Sequence, residues 1–404
     1  MHIQEPIIHK HSFLGHLPSY FAQQSTPRVR ELYVNSAILD FAVSMILFFE
    51  PIHLYRQGFS LFSIALFYFG VYFLYFFLLP LGGKFIKRYG IVQSIFLGSP
   101  FLILYYLCFA LLSISIYFIY PAIIFFALQK MFYWPGFHAD MVEHGVEVEQ
   151  GREVGSITAI ILFVYIAGPL VGGTLLYFFG FTALFITVAV FIMLSNFPLL
   201  LTPERVNRDH FSYRGALSRI VGRTNRRAFI SYLGFGEELI LLAFWPIFIF
   251  IIVQNTFSAG VIVSLSTLAT AATVLYVGTM TDKKSKEGIL RLTSIIYACV
   301  WFIRIFVQSA FGVFLVDSLS RIGKNALSVP QMAITYVNAR KKDFLETVIF
   351  FEMSLVVGKL IALLAVMAII VFFPPFSLWH MLFLLAGIFS LLYSVLQERS
   401  GTNV

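Results

Sequence analysis

An all-α integral membrane protein, with twelve spanning helices in two related six-helix halves, is what this sequence predicts, and three observations predict it. The first is composition. Of 404 residues, 59% are hydrophobic and 12% charged, whereas a soluble domain carries about 25% charged residues. Such a chain cannot dress its surface with polar groups, so a bilayer must serve as its solvent. A cytosolic enzyme, a disordered chain and a collagen-like chain are excluded. The second observation is that apolar runs of the about 20 residues needed to cross hydrocarbon recur twelve times. The third is that the two halves repeat one another across a polar interruption.

Taken in order, the runs are 31–50, 59–81, 91–112, 116–137, 155–178, 181–202, 229–253, 257–278, 289–309, 311–336, 344–372 and 376–396. Each is rich in Leu, Ile and Phe and lacks the ten-residue alternation of a membrane barrel. The joins between runs three and four, and nine and ten, are expected to be the tightest. Residues 1–28 form an N-terminal tail with Pro6, Pro18, Pro27 and four histidines, His2, His9, His11 and His16. No secretory signal is read there, so the first helix is expected to act as an uncleaved targeting element. The histidines could bind metal or belong to a mobile tail. Residues 203–228 are the one long polar interruption and divide a first bundle (29–202) from a second (229–404).

Orientation follows from lysine and arginine. With the N-terminus inside, Lys84, Lys87 and Arg88, the seven arginines from Arg205 to Arg227, Lys283 to Lys286, and Arg340 to Lys342 fall on the cytoplasmic side. Arg56 alone falls outside. Both termini are therefore expected in the cytoplasm. The net charge of +8 is a topology signal, and the arginine-rich linker is read as contacting anionic lipid and not nucleic acid. Cys108 and Cys299 lie one in each half within apolar runs, without CxxC or Cys/His spacing, which excludes a disulfide scaffold and gives no metal site. No nucleotide, nucleophile-elbow or zinc-protease motif occurs. No cofactor is expected.

The repeat has a nearly constant offset. Gly83 aligns with Gly278, Arg88 with Lys283, and Pro135 with Pro330, each pair 195 apart. Repeated bundles around a midplane cavity are the architecture of secondary transporters. The stretch Gly83-Lys84-Phe85-Ile86-Lys87-Arg88-Tyr89-Gly90, with a second copy Gly278-Thr279-Met280-Thr281-Asp282-Lys283, resembles the loop motif of the major facilitator superfamily. Lys87 stands where that motif usually has an acid, while the second copy keeps the acid at Asp282. Helix 5 carries Gly155, Val164, Gly168, Pro169, Gly172 and Gly173, similar to the antiporter signature of the family with one glycine replaced. The resemblance implies proton antiport as in drug exporters, while generic close helix packing remains the plainer reading. It also implies a gate in which Arg88 pairs with Asp140, and Asp282 with Arg340. The plainer reading of these is solvated loop charges.

Ionisable residues within spans cost at least about 2.5–3.5 kcal/mol each at mid-bilayer. The acids are Asp40, Glu237, Glu238, Asp317 and Glu352; the bases are Lys130, Arg304, Arg321, Lys324 and Lys359. In helix 10, Asp317, Arg321, Lys324, Ser328 and Gln331 recur at helical spacing and share one face. Ser36, Asp40 and Ser44 make a stripe on helix 1, and Lys130, Tyr133 and Trp134 lie on helix 4. The resemblance implies that helices 1, 4, 7 and 10 line a central cavity. Asp40, Glu237 and Glu238 are the proton-coupling candidates, with a structural hydrogen bond or an ion pair as the alternative for Asp40. Only one of the adjacent glutamates is expected to face the cavity. Lys130, Tyr133, Trp134, Asp317, Arg321 and Lys324 are the candidates for substrate contact.

Asp317 and Arg321 can neutralise each other at i, i+4. That leaves Lys324 as the freer cation, suited to an anionic group or to a locking salt bridge. Glu352 and Lys359 are read as pairs between helices. Arg304 is read as a structural pair or as snorkelling, and His380 as a packed or interfacial histidine. The expected protein is a monomeric secondary transporter of the bacterial inner membrane. It is expected to exchange protons for a small molecule on export, with proton-coupled uptake of a small anionic metabolite as the alternative. A membrane-embedded enzyme or a scaffold on the same fold is the reading from another class.

Overall fold

The computed structural model describes residues 27–144, 150–197, 212–268, 270–283, 285–340 and 344–398, and among them every regular element is helical. Helix α1 is Pro27–Leu47, continued by Phe49–Arg56; α2 is Leu61–Tyr89, α3 Ile91–Leu111 and α4 Ile119–His144. One helical stretch, Gln150–Ser195, is divided by Gly180 into α5 (150–179) and α6 (181–195). Helix α7 runs from Arg226–Leu233 through a π-helical turn, Ile240–Phe244, to Trp245–Val253. Helix α8 has two parts, Thr256–Leu268 and Ala271–Lys283, followed by α9 at Lys286–Ile303, α10 at Ala310–Arg340, α11 at Phe344–Phe372 and α12 at Pro375–Leu392.

Nine of these helices, among the described residues, are long and apolar enough to cross a membrane. The other three fall short for physical reasons. The apolar part of α6, Ile186–Ser195, and the first part of α8, Phe257–Leu268, are short. Helix α10 has 31 residues but carries Asp317, Arg321 and Lys324 within two turns. The tightest join is not where the sequence places it. Short 3-10 turns, Ile116–Phe118 and Arg304–Phe306, separate the third helix from the fourth and the ninth from the tenth. By contrast α5 meets α6 through Gly180 alone, at φ 73°, a conformation open to glycine because it has no β-carbon.

In the first bundle α1 lies along α5, and α3 and α2 pack on α4; in the second α9 packs on α10 and α12, and α7 on α11. The bundles meet along α2–α11 and α5–α8, two contacts that a two-fold exchange of the halves interchanges. Pro135 and Pro330, one repeat apart, lie inside α4 and α10. Large apolar side chains such as Phe77, Phe311 and Phe372 are exposed on the outside, which in this chain is the lipid surface. The protein is thus an integral, multi-pass membrane bundle. The linker helix, Tyr213–Val221, is capped by Ser212 and pinned to the start of α11, where Arg219 meets Glu346 at 3.0 Å.

The glycines of α5 have a direct steric role. A β-carbon at Gly168 would overlap the Ser44 side chain, and one at Gly172 the Met45 carbonyl. Ser44 in turn donates to the Val164 carbonyl across this seam at 3.3 Å. Small residues permit the backbone approach that holds helices together in lipid. The second bundle uses the same device, since a β-carbon at Gly358 on α11 would meet the backbone of Leu233 on α7. Gly168→Leu should therefore separate α1 from α5 and destabilise the fold by about 3 kcal/mol or more. The check is the melting temperature of the purified variant; an unchanged melting point removes this account of the motif.

Candidate functional site

A cavity of about 220 Å³ lies between α1, α5, α7, α8 and α10. Its α7 wall is the π-helical turn and the Trp245-Pro246 pair that follows it. Pro246 has no N–H to donate into the preceding turn, and a local widening is one way a helix absorbs that loss. Leu241, Ile249, Val263 and Phe48 make the apolar wall, and Tyr165, Arg321, Lys324 and Asn325 the polar one.

Behind the polar wall lies a network of buried charge. Arg321 donates through Nε to Asp317 Oδ2 at 2.7 Å, and the Trp245 indole N–H donates to Asp317 Oδ1 at 2.8 Å. Both oxygens of this fully buried acid are therefore occupied. Lys324 donates to Glu237 at 2.5 Å and to the Tyr393 hydroxyl at 3.0 Å, and pairs with Glu238 at 3.1 Å. Glu237, wholly buried, also accepts from Tyr297 at 2.9 Å. Glu238 bridges onward to Lys359 of α11 at 2.9 Å. Lys324 is thus not the freer cation that local spacing implies, because its partners lie on α7 and α12, out of reach of any reading of α10 alone. Neither glutamate is among the residues lining the cavity, and both join this network.

Arg304 also departs from expectation. It does not snorkel: it is fully buried, with its guanidinium 3.6 Å from the centroid of Trp301 and 4.1 Å from that of Trp245. One Nη donates to Ser320 at 2.5 Å. Two indole faces stabilise the cation where water is absent.

Asp40 is different from all of these. It is partly buried, and the groups that face it are the hydroxyls of Tyr165, Tyr133 and Tyr106. No cation among the described residues reaches ion-pair distance of it. Tyr165, whose hydroxyl faces Asp40, lines the same cavity as Arg321.

Lys130, Tyr133 and Trp134, expected to touch substrate, are not among the residues lining the cavity. The Lys130 ammonium sits over the rings of Phe126 at 4.1 Å and Tyr72 at 5.1 Å. Close enough to interact with it electrostatically is Glu50, a buried residue bonded by the Tyr68 hydroxyl at 2.8 Å. Glu50 stands at the end of an apolar run in the sequence, so nothing there marks it as interior. Tyr165 and Trp245 were likewise hidden, because an aromatic residue in so aromatic a chain carries no signal.

The two bundles are joined on the side that carries the basic residues. His138 of α4 contacts Glu352 of α11 at 3.1 Å through Nε2 and Tyr336 of α10 at 2.9 Å through Nδ1. The Tyr75 hydroxyl donates to the other Glu352 oxygen at 2.8 Å. Arg340 donates to the Val142 carbonyl at 3.0 and 2.7 Å. The pairs His138–Tyr336 and Val142–Arg340 are each 198 apart, close to the repeat offset, so the closure straddles the two-fold axis.

The motif residues take up different positions from those the resemblance implies. Arg88 is exposed, with its guanidinium 5.2 Å from the Tyr89 ring centroid, and no ion pair among the described residues joins it to Asp140. Asp140 is 1% exposed, in the interior where an end-of-helix arginine stacked on its neighbour does not reach. Arg340 spends its guanidinium on Val142. The side chain of Asp282 lies outside the described residues, as do the N-terminal histidines. Gly83 and Gly278 are buried within α2 and α8, Gly155 is buried and Gly173 partly buried in α5, and Lys283 is exposed at the end of α8. Gly90 turns α2 into α3 at φ 105°. Among the described residues, no group of three His, Cys, Asp or Glu side chains could hold a metal.

No family model and no curated protein matches the sequence. Solved structures do match the fold. The E. coli fucose:proton symporter is 14% identical with a TM-score of 0.65, over 90% of this chain and 97% of that one. A structure of the same transporter in the outward conformation, described as a major facilitator superfamily transporter, gives 14% and 0.63 over 89% and 97%. The human organic anion transporter MFSD10 gives 14% and 0.65 over 92% and 99%. At this identity the likeness establishes the fold, which is that of major facilitator superfamily transporters.

Proposed function

We propose that this chain is a secondary active transporter that works by alternating access, with Asp40 as the group that carries the coupling proton. The observation that supports this most is the contrast between Asp40 and the other membrane acids. Asp317, Glu237, Glu238 and Glu352 are each held by a cation or by a histidine with tyrosine, and Glu50 accepts from Tyr68 with Lys130 close by, whereas Asp40 faces only hydroxyls. An acid left without a counter-ion at membrane depth is where a proton can be loaded and released. Its place beside the central cavity puts that proton next to the cargo. Interfaces joined by a few buried polar contacts, such as His138–Glu352, are what two rigid bundles can make and break.

The α5 motif favours export in exchange for protons. The cations on the cavity wall favour a second reading, uptake of a small anion together with protons. In both readings the basic side is cytoplasmic and the termini lie inside. The test is the purified chain in vesicles loaded with a pH-sensitive dye and screened against small-molecule gradients. Substrate-dependent proton movement is expected, and transport without any proton movement overturns the coupling. Cysteines placed at position 214 should label only from the cytoplasmic side, and near Arg56 only from outside; external labelling at 214 inverts the topology.

A further inference from the structure

We propose that the cavity binds a small amphipathic monoanion through the free edge of the Arg321 guanidinium. The inference rests on the transport reading above and gives it a substrate class.

The donor count identifies Arg321. The three N–H groups of Lys324 are matched by Glu237, Glu238 and Tyr393. Arg321 spends only Nε, on Asp317, and among the described residues its two Nη groups donate to nothing. Its side chain is 26% exposed, against 1% for the Asp317 it rests on, and it lines the cavity. A guanidinium fixed at Nε presents its Nη groups in a planar fork that matches a carboxylate or a comparable acid group. No acid is among the residues lining the cavity. Apolar walls at Leu241, Ile249, Val263 and Phe48 suit the body of the ligand. A volume of about 220 Å³ lies below the roughly 300–1,000 Å³ of drug-sized sites, so the ligand is small.

The experiment uses the full chain in lipid nanodiscs, without a gradient, probed with short monocarboxylates and their matched amides and amines. Carboxylates should raise the melting temperature while amides and amines do not. Arg321→Gln should weaken carboxylate binding by about a hundredfold, the loss of charge-assisted hydrogen bonds. Because Arg321→Gln leaves Asp317 unpaired, the double variant with Asp317→Asn restores charge balance and should melt near the parent yet still fail to bind. Amides or amines binding as well as carboxylates, or carboxylate binding that survives in the double variant, overturns the proposal. Carboxylate binding with no proton flux in vesicles keeps the site and removes the transport reading; proton-coupled flux of an amine does the reverse.

Discussion

Asp40→Asn is expected to abolish accumulation against a gradient while leaving exchange of substrate across the membrane intact. Asparagine keeps the shape and a hydrogen-bonding oxygen towards Tyr165 but cannot carry a proton. With one proton per cargo, a pH difference of about one unit supports about tenfold accumulation. Without the proton, the gradient does no work on the cargo and concentrations merely equalise. The fold should tolerate the change, because no ion pair is broken when the charge is removed. The measurement is net uptake or efflux in proteoliposomes under an imposed pH difference, beside counterflow with no gradient. If Asp40→Asn concentrates substrate as well as the parent, the coupling site lies elsewhere. Glu237 and Glu238 are poor replacements, since each is held by one or two lysines.

Breaking the contact between His138 and Glu352 should shift the protein towards the state in which the basic side is open. The two residues belong to different bundles, are 6% and 2% exposed, and meet only while α4 and α11 are together. A hydrogen bond to a charged group contributes about 1.5–3 kcal/mol, so its loss changes the ratio of closed to open states by about tenfold or more. Glu352→Gln preserves volume and a partner for Tyr75 while removing the charge, and His138→Ala removes the other half. A cysteine at Val142, 1% exposed beside Arg340, reports the opening once Cys299, the exposed native thiol, has been replaced. Reactivity at position 142 should rise in either variant, and the double variant should open no further than the more open single one. Strictly additive effects would show that the two side chains are not coupled.

Much of the architecture was legible in the chain because lipid imposes a local rule: a span must satisfy its own backbone and present apolar side chains. The apolar runs therefore mark the helices without reference to one another. The same locality made Asp317–Arg321 readable, since the i, i+4 spacing brings the two together wherever α10 lies. The 195-residue offset between the halves likewise needed no tertiary information.

Partnership across helices needed all of it. Periodicity says which face of a helix a charge occupies but not what that face meets. Thus Lys324, unaccompanied on α10, finds Glu237 from α7 and Tyr393 beyond α12, and of the two cations lining the cavity it is Arg321 that keeps free donors among the described residues. Arg304 reads as a charge in search of water until two tryptophans, one on α7 and one on its own helix, close over it. His138 stands alone as a charge-capable group on its face of α4, and its partner Glu352 lies in another bundle. Sequence by itself determined the helices, their number, and which residues are too polar for lipid, because those follow from each segment's own transfer energy. Only the tertiary structure decided which acids are neutralised and which are left facing hydroxyls. Pairing depends on the few ångströms between helices, and those distances are set by how glycines such as Gly168 and Gly358 let the helices approach.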